Sequence, residues 1–120
     1  MPNIKALRIE PDKAPTEATL GTSLTELQEA VAGMIEIVPI SNTCSILCNE
    51  TGKIDGLTPN RVWNGDVITG TFYIIHTDND GELADLSEED SDLYSEIFNK
   101  PLTPRERECY DRVLSLFYRE

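Results

Sequence analysis

The sequence predicts a single α+β domain with a small mixed or antiparallel sheet, one early helix and two C-terminal helices. Alternating and β-branched runs typical of strands fill most of the chain up to residue 76, and one helix start interrupts them. Two further helix starts lie in the last third of the chain. Because 120 residues are the usual size of one compact domain, we expect residues 1–120 to form one unit.

Two strands open the chain. Apolar and polar residues alternate over about residues 3–10, which predicts a strand. Two prolines within residues 11–15 then interrupt it. Weaker alternation over residues 16–22 predicts a second, short strand after this irregular loop.

A helix follows the second strand. The hydroxyl of Ser23 can accept a hydrogen bond from the backbone amide of Glu26, whose carboxylate can bond back to Ser23. Apolar residues then recur at helical spacing, which predicts a helix over residues 24–32. We expect Gly33 to end this helix in the left-handed conformation.

The next strands surround a polar turn. Residues 34–38 predict a strand that Pro39 ends or places at a sheet edge. The apolar run from Cys44 to Cys48 predicts a buried strand. Residues 50–53 then have the length of a hairpin turn, after which we expect Ile54 to begin a short return strand.

The strongest strand signal follows a corner. Residues 57–61 predict a corner that is non-helical or a single turn. Residues 67–75 are rich in β-branched and aromatic residues and predict one strand. Gly70 in the middle of this strand predicts a bulge or a close approach by another segment.

Two helices end the chain. Ser87 and the acids after it predict a helix over residues 87–99, because a hydroxyl cap and negative charges favour a helix N-terminus. Thr103 and Pro104 predict the start of the last helix. The apolar residues that we expect along one face of this last helix are Tyr110, Val113, Leu114 and Phe117.

The net charge of −12 is concentrated in the second half, where residues 61–120 hold 14 acidic and 6 basic residues. Such a charge repels phosphates, so we expect no direct binding to nucleic acid or to an anionic membrane. No apolar run is long enough to span a membrane, the first residues do not resemble a signal peptide, and the three cysteines form an odd set. These features predict a protein of the reducing cytoplasm.

Several motifs occur in an order that is typical of one family. They are IKAL at residues 4–7, GMIEIV at 33–38, LCNETGK at 47–53, LTPNR at 57–61 and GTFYI at 70–74. Together they resemble the domain of unknown function 3846 family over about residues 3–76, which leaves residues 77–120 as an acidic loop and a helical tail. Members of this family are common in bacteriophages and bacterial mobile elements. The resemblance therefore implies a phage or mobile-element protein in the host cytoplasm, and it brings no established activity or catalytic residues.

The sequence offers little for catalysis or metal binding. His76 is the only histidine, so nucleophilic catalysis by a thiol would need His76 beside Cys44, Cys48 or Cys109, an alternative that the sequence leaves open. Cys44 and Cys48 would share one face of a strand, where we expect buried thiols. The loop over residues 76–87 lacks the first acid and the final glutamate of a calcium loop. We therefore expect a non-enzymatic protein with no catalytic residue, no metal and no cofactor.

The most informative feature is an acidic run without any Lys or Arg between His76 and Asn99. Carboxylates at every fourth position align in one row on a helix. Such a run can simply be a solvated face, or it can bind a basic site on a host protein by imitating nucleic-acid phosphates, as an anti-defence protein would. The predicted partner-binding residues are Asp85, Glu88, Glu89, Asp92 and Glu96.

An alternative function is the binding or sequestration of a small, nucleotide-like ligand. Asn49, Glu50, Asn60 and Arg61 surround the central turn, and Arg61 could supply a fork for a phosphate or carboxylate. These side chains could instead bond the backbone of the turn itself, as Asn readily does. The sequence leaves both interpretations open.

Trp63 and the aromatic residues near the end of the chain indicate self-association. Trp63, Tyr110, Phe117 and Tyr118 could form an apolar surface. We expect the C-terminal helix to form a homodimer.

Overall fold

The computed structural model describes residues 3–119 as a six-stranded antiparallel sheet, a separate two-stranded hairpin and four helices. The predicted α+β class is therefore confirmed. The predicted unit of residues 1–120 includes residues 1, 2 and 120, which lie outside the described residues. The elements in chain order are β1 (Asn3–Ile9), β2 (Thr16–Gly21), α1 (Leu24–Val31), β3 (Ile35–Pro39), β4 (Cys44–Asn49), α2 (Gly52–Asp55), β5 (Pro59–Trp63), β6 (Asp66–Thr69), β7 (Phe72–Thr77), β8 (Leu83–Ala84), α3 (Glu88–Ile97) and α4 (Pro104–Tyr118).

The six-stranded sheet has the order β2-β1-β7-β4-β3, and the short β8 pairs with the end of β7. All of its pairings are antiparallel. The predicted position of Pro39 is confirmed, because Pro39 ends β3 and β3 is an edge strand, where a missing N–H group leaves no ladder bond broken. The hairpin β5–β6 forms its own sheet.

Each face of the sheet carries its own apolar cluster. On one face, Leu27 and Val31 of α1 pack against side chains of β1, β4 and β7. On the other face, Tyr94 and Phe98 lie against the sheet together with side chains of the β5–β6 hairpin. The sheet is thus the middle layer of three, which fixes α3 and the hairpin on the same side.

The end of α1 differs from the prediction. Ala32, with φ of 61°, is the left-handed residue, and its backbone N–H bonds back to the helix. Gly33 has a φ of 157°, which is close to extended backbone. A side-chain bond from Asn49 to the carbonyl of Ala32 supports this end of the helix.

The expected return strand at Ile54 is wrong. Residues 52–55 instead form the single helical turn α2, and the backbone amide of Asp55 bonds to the carbonyl of Thr51. Ile54 is 58% exposed, so its apolar side chain marks no buried strand.

The corner predicted at residues 57–61 is in part a strand, because β5 begins at Pro59. The strand was hidden in the sequence because Asn60 and Arg61 are polar but buried. Residues 67–75 are likewise two strands, not one, since the chain leaves the hairpin at Thr69 and enters the main sheet at Phe72. The two-residue strand β8 was not predicted.

The close approach expected at Gly70 is confirmed. Gly70 has a φ of 76°, and a Cβ atom at this position would lie 2.8 Å from Cδ1 of Leu57. The residue therefore both turns the chain between the two sheets and leaves room for a neighbouring side chain. The expected alternative, a bulge within one strand, does not occur, because β6 and β7 belong to different sheets.

Gly70→Ala is expected to destabilise the protein more than Gly65→Ala. Both glycines have a positive φ, so each substitution costs about 1–2 kcal/mol of backbone strain. Only Gly70 meets a neighbour, whereas a Cβ at Gly65 has nothing within 4 Å. The clash should add to the loss of unfolding free energy in urea, because the side chain of Leu57 must shift. Equal losses for the two variants would show that contact with Leu57 does not matter.

Candidate functional site

Asn49 is placed by β4 and bonds to the end of α1. Its Nδ2 donates to the carbonyls of Val31 at 3.0 Å and Ala32 at 3.2 Å. Its Oδ1 accepts a bond from the backbone N–H of Thr51 at 2.8 Å. The amide thus satisfies two carbonyls at the end of α1 and shapes the following turn.

Asn60 connects the hairpin to the main sheet. It is 1% exposed, and its Nδ2 donates to the carbonyls of Ile9 and Gly70, each at 2.8 Å. Its Oδ1 accepts a 2.7 Å bond from Nη1 of Arg61. All three bonds of this side chain lie within the protein.

Arg61 is 3% exposed and its guanidinium also bonds inside the chain. Nε donates to the carbonyl of Phe98 at 3.0 Å, and Nη2 donates to the carbonyl of Lys13 at 2.6 Å. Within residues 3–119 no carboxylate forms an ion pair with it. Burial lowers the pKa of Arg61 from its usual value, because the charged form loses hydration.

The four residues of the predicted ligand site fall into two groups. Asn49 and Glu50 line a cleft of about 280 Å³ between the β3–β4 edge and the β5–β6 hairpin. Asn60 and Arg61 do not line this cleft and belong to the buried network. The structure therefore does not bring the guanidinium to the cleft in which a ligand could lie.

Cys48 is a poor nucleophile in this cleft. Burial, followed by the nearby carboxylate of Glu36, raises the pKa of Cys48 to about 11. Its thiol contacts Oε1 of Glu36 at 3.8 Å. A thiol with such a pKa is protonated at neutral pH and does not attack an electrophile readily.

The predicted acidic helix is α3. The hydroxyl of Ser87 caps it by accepting a bond from the backbone N–H of Asp90 at 3.1 Å. Asp85, just before the helix, is exposed and accepts a 2.8 Å bond from the backbone N–H of Lys5, so it has a structural partner. The other predicted partner-binding residues are exposed and form no ion pair within residues 3–119; they are Glu88, Glu89, Asp92 and Glu96.

Two apolar side chains lie among these acids. Leu93 is 51% exposed and Ile97 is 47% exposed. They follow Glu89 at intervals of four residues, so the three form one row beside the row of carboxylates. We call the six residues the outer surface of α3: Glu88, Glu89, Asp92, Leu93, Glu96 and Ile97.

The structure also brings together three residues that are far apart in the sequence. One ligand atom from each of Cys44, His76 and Asp90 lies within 4.8 Å of the others. Cys44 and His76 are directly opposite each other on β4 and β7, which a correct strand register would have revealed. Burial raises the pKa of Cys44, so its thiol is protonated in the metal-free protein.

Comparison with known proteins gives one match. Residues 4–99 match the family model described as Domain of unknown function (DUF3846), and the chain belongs to this family. The resemblance deduced from residues 3–76 is thereby confirmed, and the match extends further, through α3. No curated protein and no solved structure matches the chain. In the part of the chain that is described, no helix is long and apolar enough to cross a membrane.

Arg61→Ala is expected to lower the unfolding free energy by about 2–4 kcal/mol, because the carbonyls of Phe98 and Lys13 lose charge-assisted bonds and a cavity remains. Arg112→Ala is the matched control, since the side chain of Arg112 is 76% exposed and its one ion pair among residues 3–119 is with Glu108. It should change the unfolding free energy by less than about 0.5 kcal/mol. Urea titrations followed by circular dichroism measure both. A loss below about 1 kcal/mol for Arg61→Ala would contradict a structural role.

Proposed function

We propose that this member of the DUF3846 family is a non-enzymatic protein that binds a basic surface of another protein through the outer surface of α3. The observation that carries the proposal is a set of four exposed carboxylates without ion pairs in residues 3–119, beside two exposed apolar side chains. Apolar groups bordered by charged residues are typical of protein interfaces.

The two kinds of side chain would contribute differently. The carboxylates would attract a basic partner and orient it, which mainly raises the association rate. Leu93 and Ile97 would lose contact with water on binding and so supply affinity. A purely solvated face needs no exposed apolar pair, and this favours an interface.

A cleft of about 480 Å³ lies beside the helix, between α3 and the β1–β2 pair. Its apolar walls come from Ala6, Ala18 and Leu86. Its charged residues are the acids Glu17 and Glu88 and the base Lys5. A Lys or Arg side chain of the partner could place its apolar stem along these walls and its charge near the carboxylates.

A more specific version of this proposal is that the carboxylates imitate the phosphates of nucleic acid. A row of carboxylates at every fourth residue advances about 6 Å per charge along a straight line, whereas the phosphates of a DNA strand follow a path that winds around the axis. The exposed pair of Leu93 and Ile97 also has no counterpart in a phosphate backbone. We therefore favour a host protein with a basic, partly apolar site, and the common occurrence of the family in phages and mobile elements supports a partner in the host cytoplasm.

A small, nucleotide-like ligand in the cleft beside Asn49 and Glu50 is the second candidate. The cleft also holds Lys53, which pairs with Asp66 at 2.5 Å and could turn to a ligand phosphate. This candidate is weaker, because the guanidinium of Arg61, which was expected to bind the phosphate, already donates its hydrogen bonds to groups of the protein.

We also propose that α4 mediates a homodimer. Of the four residues expected on its apolar face, only Leu114 is buried, whereas Tyr110, Val113 and Phe117 are exposed. Leu116 is 77% exposed and Phe117 is 78% exposed, so the outward side of α4 has a cluster of large apolar groups. Trp63 is not part of this surface, because it packs against Phe98 with ring centroids 5.6 Å apart.

Neutralising the outer surface of α3 is expected to abolish capture of the partner. A variant with Glu88→Gln, Glu89→Gln, Asp92→Asn and Glu96→Gln removes four negative charges, which changes the net charge from −12 to −8. The variant and the unchanged chain are immobilised and exposed to bacterial lysate. The variant should retain a basic protein at an amount at least about tenfold lower, because the electrostatic attraction and orientation of the partner are lost. Quantitative mass spectrometry of the eluates measures the difference.

The matched control removes four exposed charges elsewhere, with Glu29→Gln, Glu50→Gln, Asp80→Asn and Glu82→Gln. It should retain the partner. Raising the salt from about 0.1 M to about 0.5 M should weaken capture by the unchanged chain, since the screening length falls from about 10 Å to a few ångströms. Equal loss in the two variants, or capture that is independent of salt, would refute the proposal.

The chain is expected to sediment as a dimer that Leu116→Ser with Phe117→Ser converts to a monomer. The double variant should weaken dimerisation at least about tenfold, since two exposed apolar side chains are lost from the interface. Analytical ultracentrifugation over a concentration series measures this. Leu24→Ser with Ile54→Ser is the control, because Leu24 and Ile54 are 60% and 58% exposed on other elements. Monomeric behaviour of the unchanged chain would contradict the dimer.

A further inference from the structure

Cys44 and His76 are brought together by the register of the sheet. Cys44 begins β4, His76 lies near the end of β7, and the two are directly opposite each other in the antiparallel pairing. Opposite residues have their side chains on the same face, with Cβ atoms about 4.5–5.5 Å apart. A thiol and an imidazole are therefore neighbours regardless of the loops around them.

Asp90 adds a carboxylate from the other layer. It lies in the first turn of α3, where its backbone N–H bonds to Ser87 and leaves the carboxylate free to face the sheet. The Sγ atom of Cys44 donates to Oδ2 of Asp90 at 3.4 Å. One ligand atom from each of the three residues lies within 4.8 Å of the others.

We propose that Cys44, His76 and Asp90 bind a Zn²⁺ ion. Thiolate, imidazole and carboxylate are the three ligand types that zinc takes from proteins, and softer or harder metals favour more uniform donor sets. In a tetrahedral zinc site such donor atoms lie roughly 3.3–3.8 Å apart. The distance of 3.4 Å between Cys44 and Asp90 already has this value, and the remaining separations of at most 4.8 Å need a closure of about 1 Å.

The imidazole provides independent support. Nδ1 of His76 is buried and has no hydrogen-bond partner within residues 3–119. Buried polar atoms without a partner are rare, because such an atom has lost its water and gained nothing in return. A neutral imidazole nitrogen is an acceptor, and a metal ion bound at this atom would satisfy it.

The ligands are graded in exposure. Cys44 is buried, whereas His76 and Asp90 are half-buried, so solvent can reach one side of the site. A water molecule can then be the fourth ligand. On binding, the S–H bond of Cys44 breaks, a Zn–S bond forms, and the proton passes to solvent. The ion would connect the start of α3 to the centre of the sheet, and this consequence does not depend on the proposed binding function.

The test is metal titration of the full chain with Cys109→Ser, which removes the exposed thiol on α4. Metal-free protein is titrated with Zn²⁺ in calorimetry and with Co²⁺ in absorption spectroscopy. We expect binding of one ion per chain, a thiolate-to-cobalt charge-transfer band, and a higher melting temperature with Zn²⁺. Cys44→Ser should abolish the band, and His76→Gln and Asp90→Asn should each weaken binding at least about tenfold.

Asp92→Asn is the matched control for Asp90→Asn, because it removes the same charge from the exposed side of the same helix. It should leave the affinity for Zn²⁺ unchanged. Asp90→Asn retains the backbone N–H that Ser87 caps, so the variant should fold without metal, which circular dichroism verifies. No saturable binding, a cobalt complex without the thiolate band, or equal weakening by the two Asp variants would overturn the proposal.

Discussion

The attachment of the β5–β6 hairpin to the rest of the protein depends on the buried guanidinium of Arg61. The hairpin shares no backbone ladder with the main sheet, so side chains must connect the two. Arg61 bonds to the β1–β2 loop at Lys13 and to the end of α3 at Phe98, while Asn60 bonds to β1 at Ile9. Removing an arginine from water costs several kcal/mol, and the charge-assisted bonds to carbonyls offset that cost.

The rigidity of α3 follows from the same arrangement. Arg61 satisfies a carbonyl at the C-terminal end of the helix, and Ser87 caps its N-terminal end. Between them, Tyr94 and Phe98 are buried, and Phe98 meets the ring of Phe72 edge-on with centroids 5.4 Å apart. A helix held at both ends and along its inner face presents its outer side chains in a fixed arrangement. Binding of a partner would then cost little conformational entropy in this helix.

Sequence patterns predicted the elements whose apolar residues recur regularly, and they failed where buried residues are polar. Periodicity predicts the strands β1, β2 and β4. Local hydrogen bonding predicts the N-terminal caps of α1, α3 and α4. The strand at Asn60 and Arg61 could not be predicted, because its polar side chains are satisfied by carbonyls as distant in sequence as Ile9 and Phe98. The exposure of Leu93 and Ile97 could not be predicted either. Periodicity shows which residues share a face of a helix, but not which faces remain uncovered in the fold.

The proposed zinc site illustrates the same limit. The sequence separates Cys44 from His76 by 32 positions and His76 from Asp90 by 14, so no local spacing indicates the three residues. They come together only through the register of β4 with β7 and the placement of α3. The family motifs point elsewhere, to Asn49, Asn60 and Arg61, whose bonds are internal and architectural. In this protein the motifs therefore mark how the fold is held. Acidic side chains lie on both sides of α3, with Asp90, which accepts a bond from the thiol of Cys44, towards the sheet and its acidic neighbours towards solvent. Both the proposed partner-binding surface and the proposed zinc site therefore use residues of this one helix.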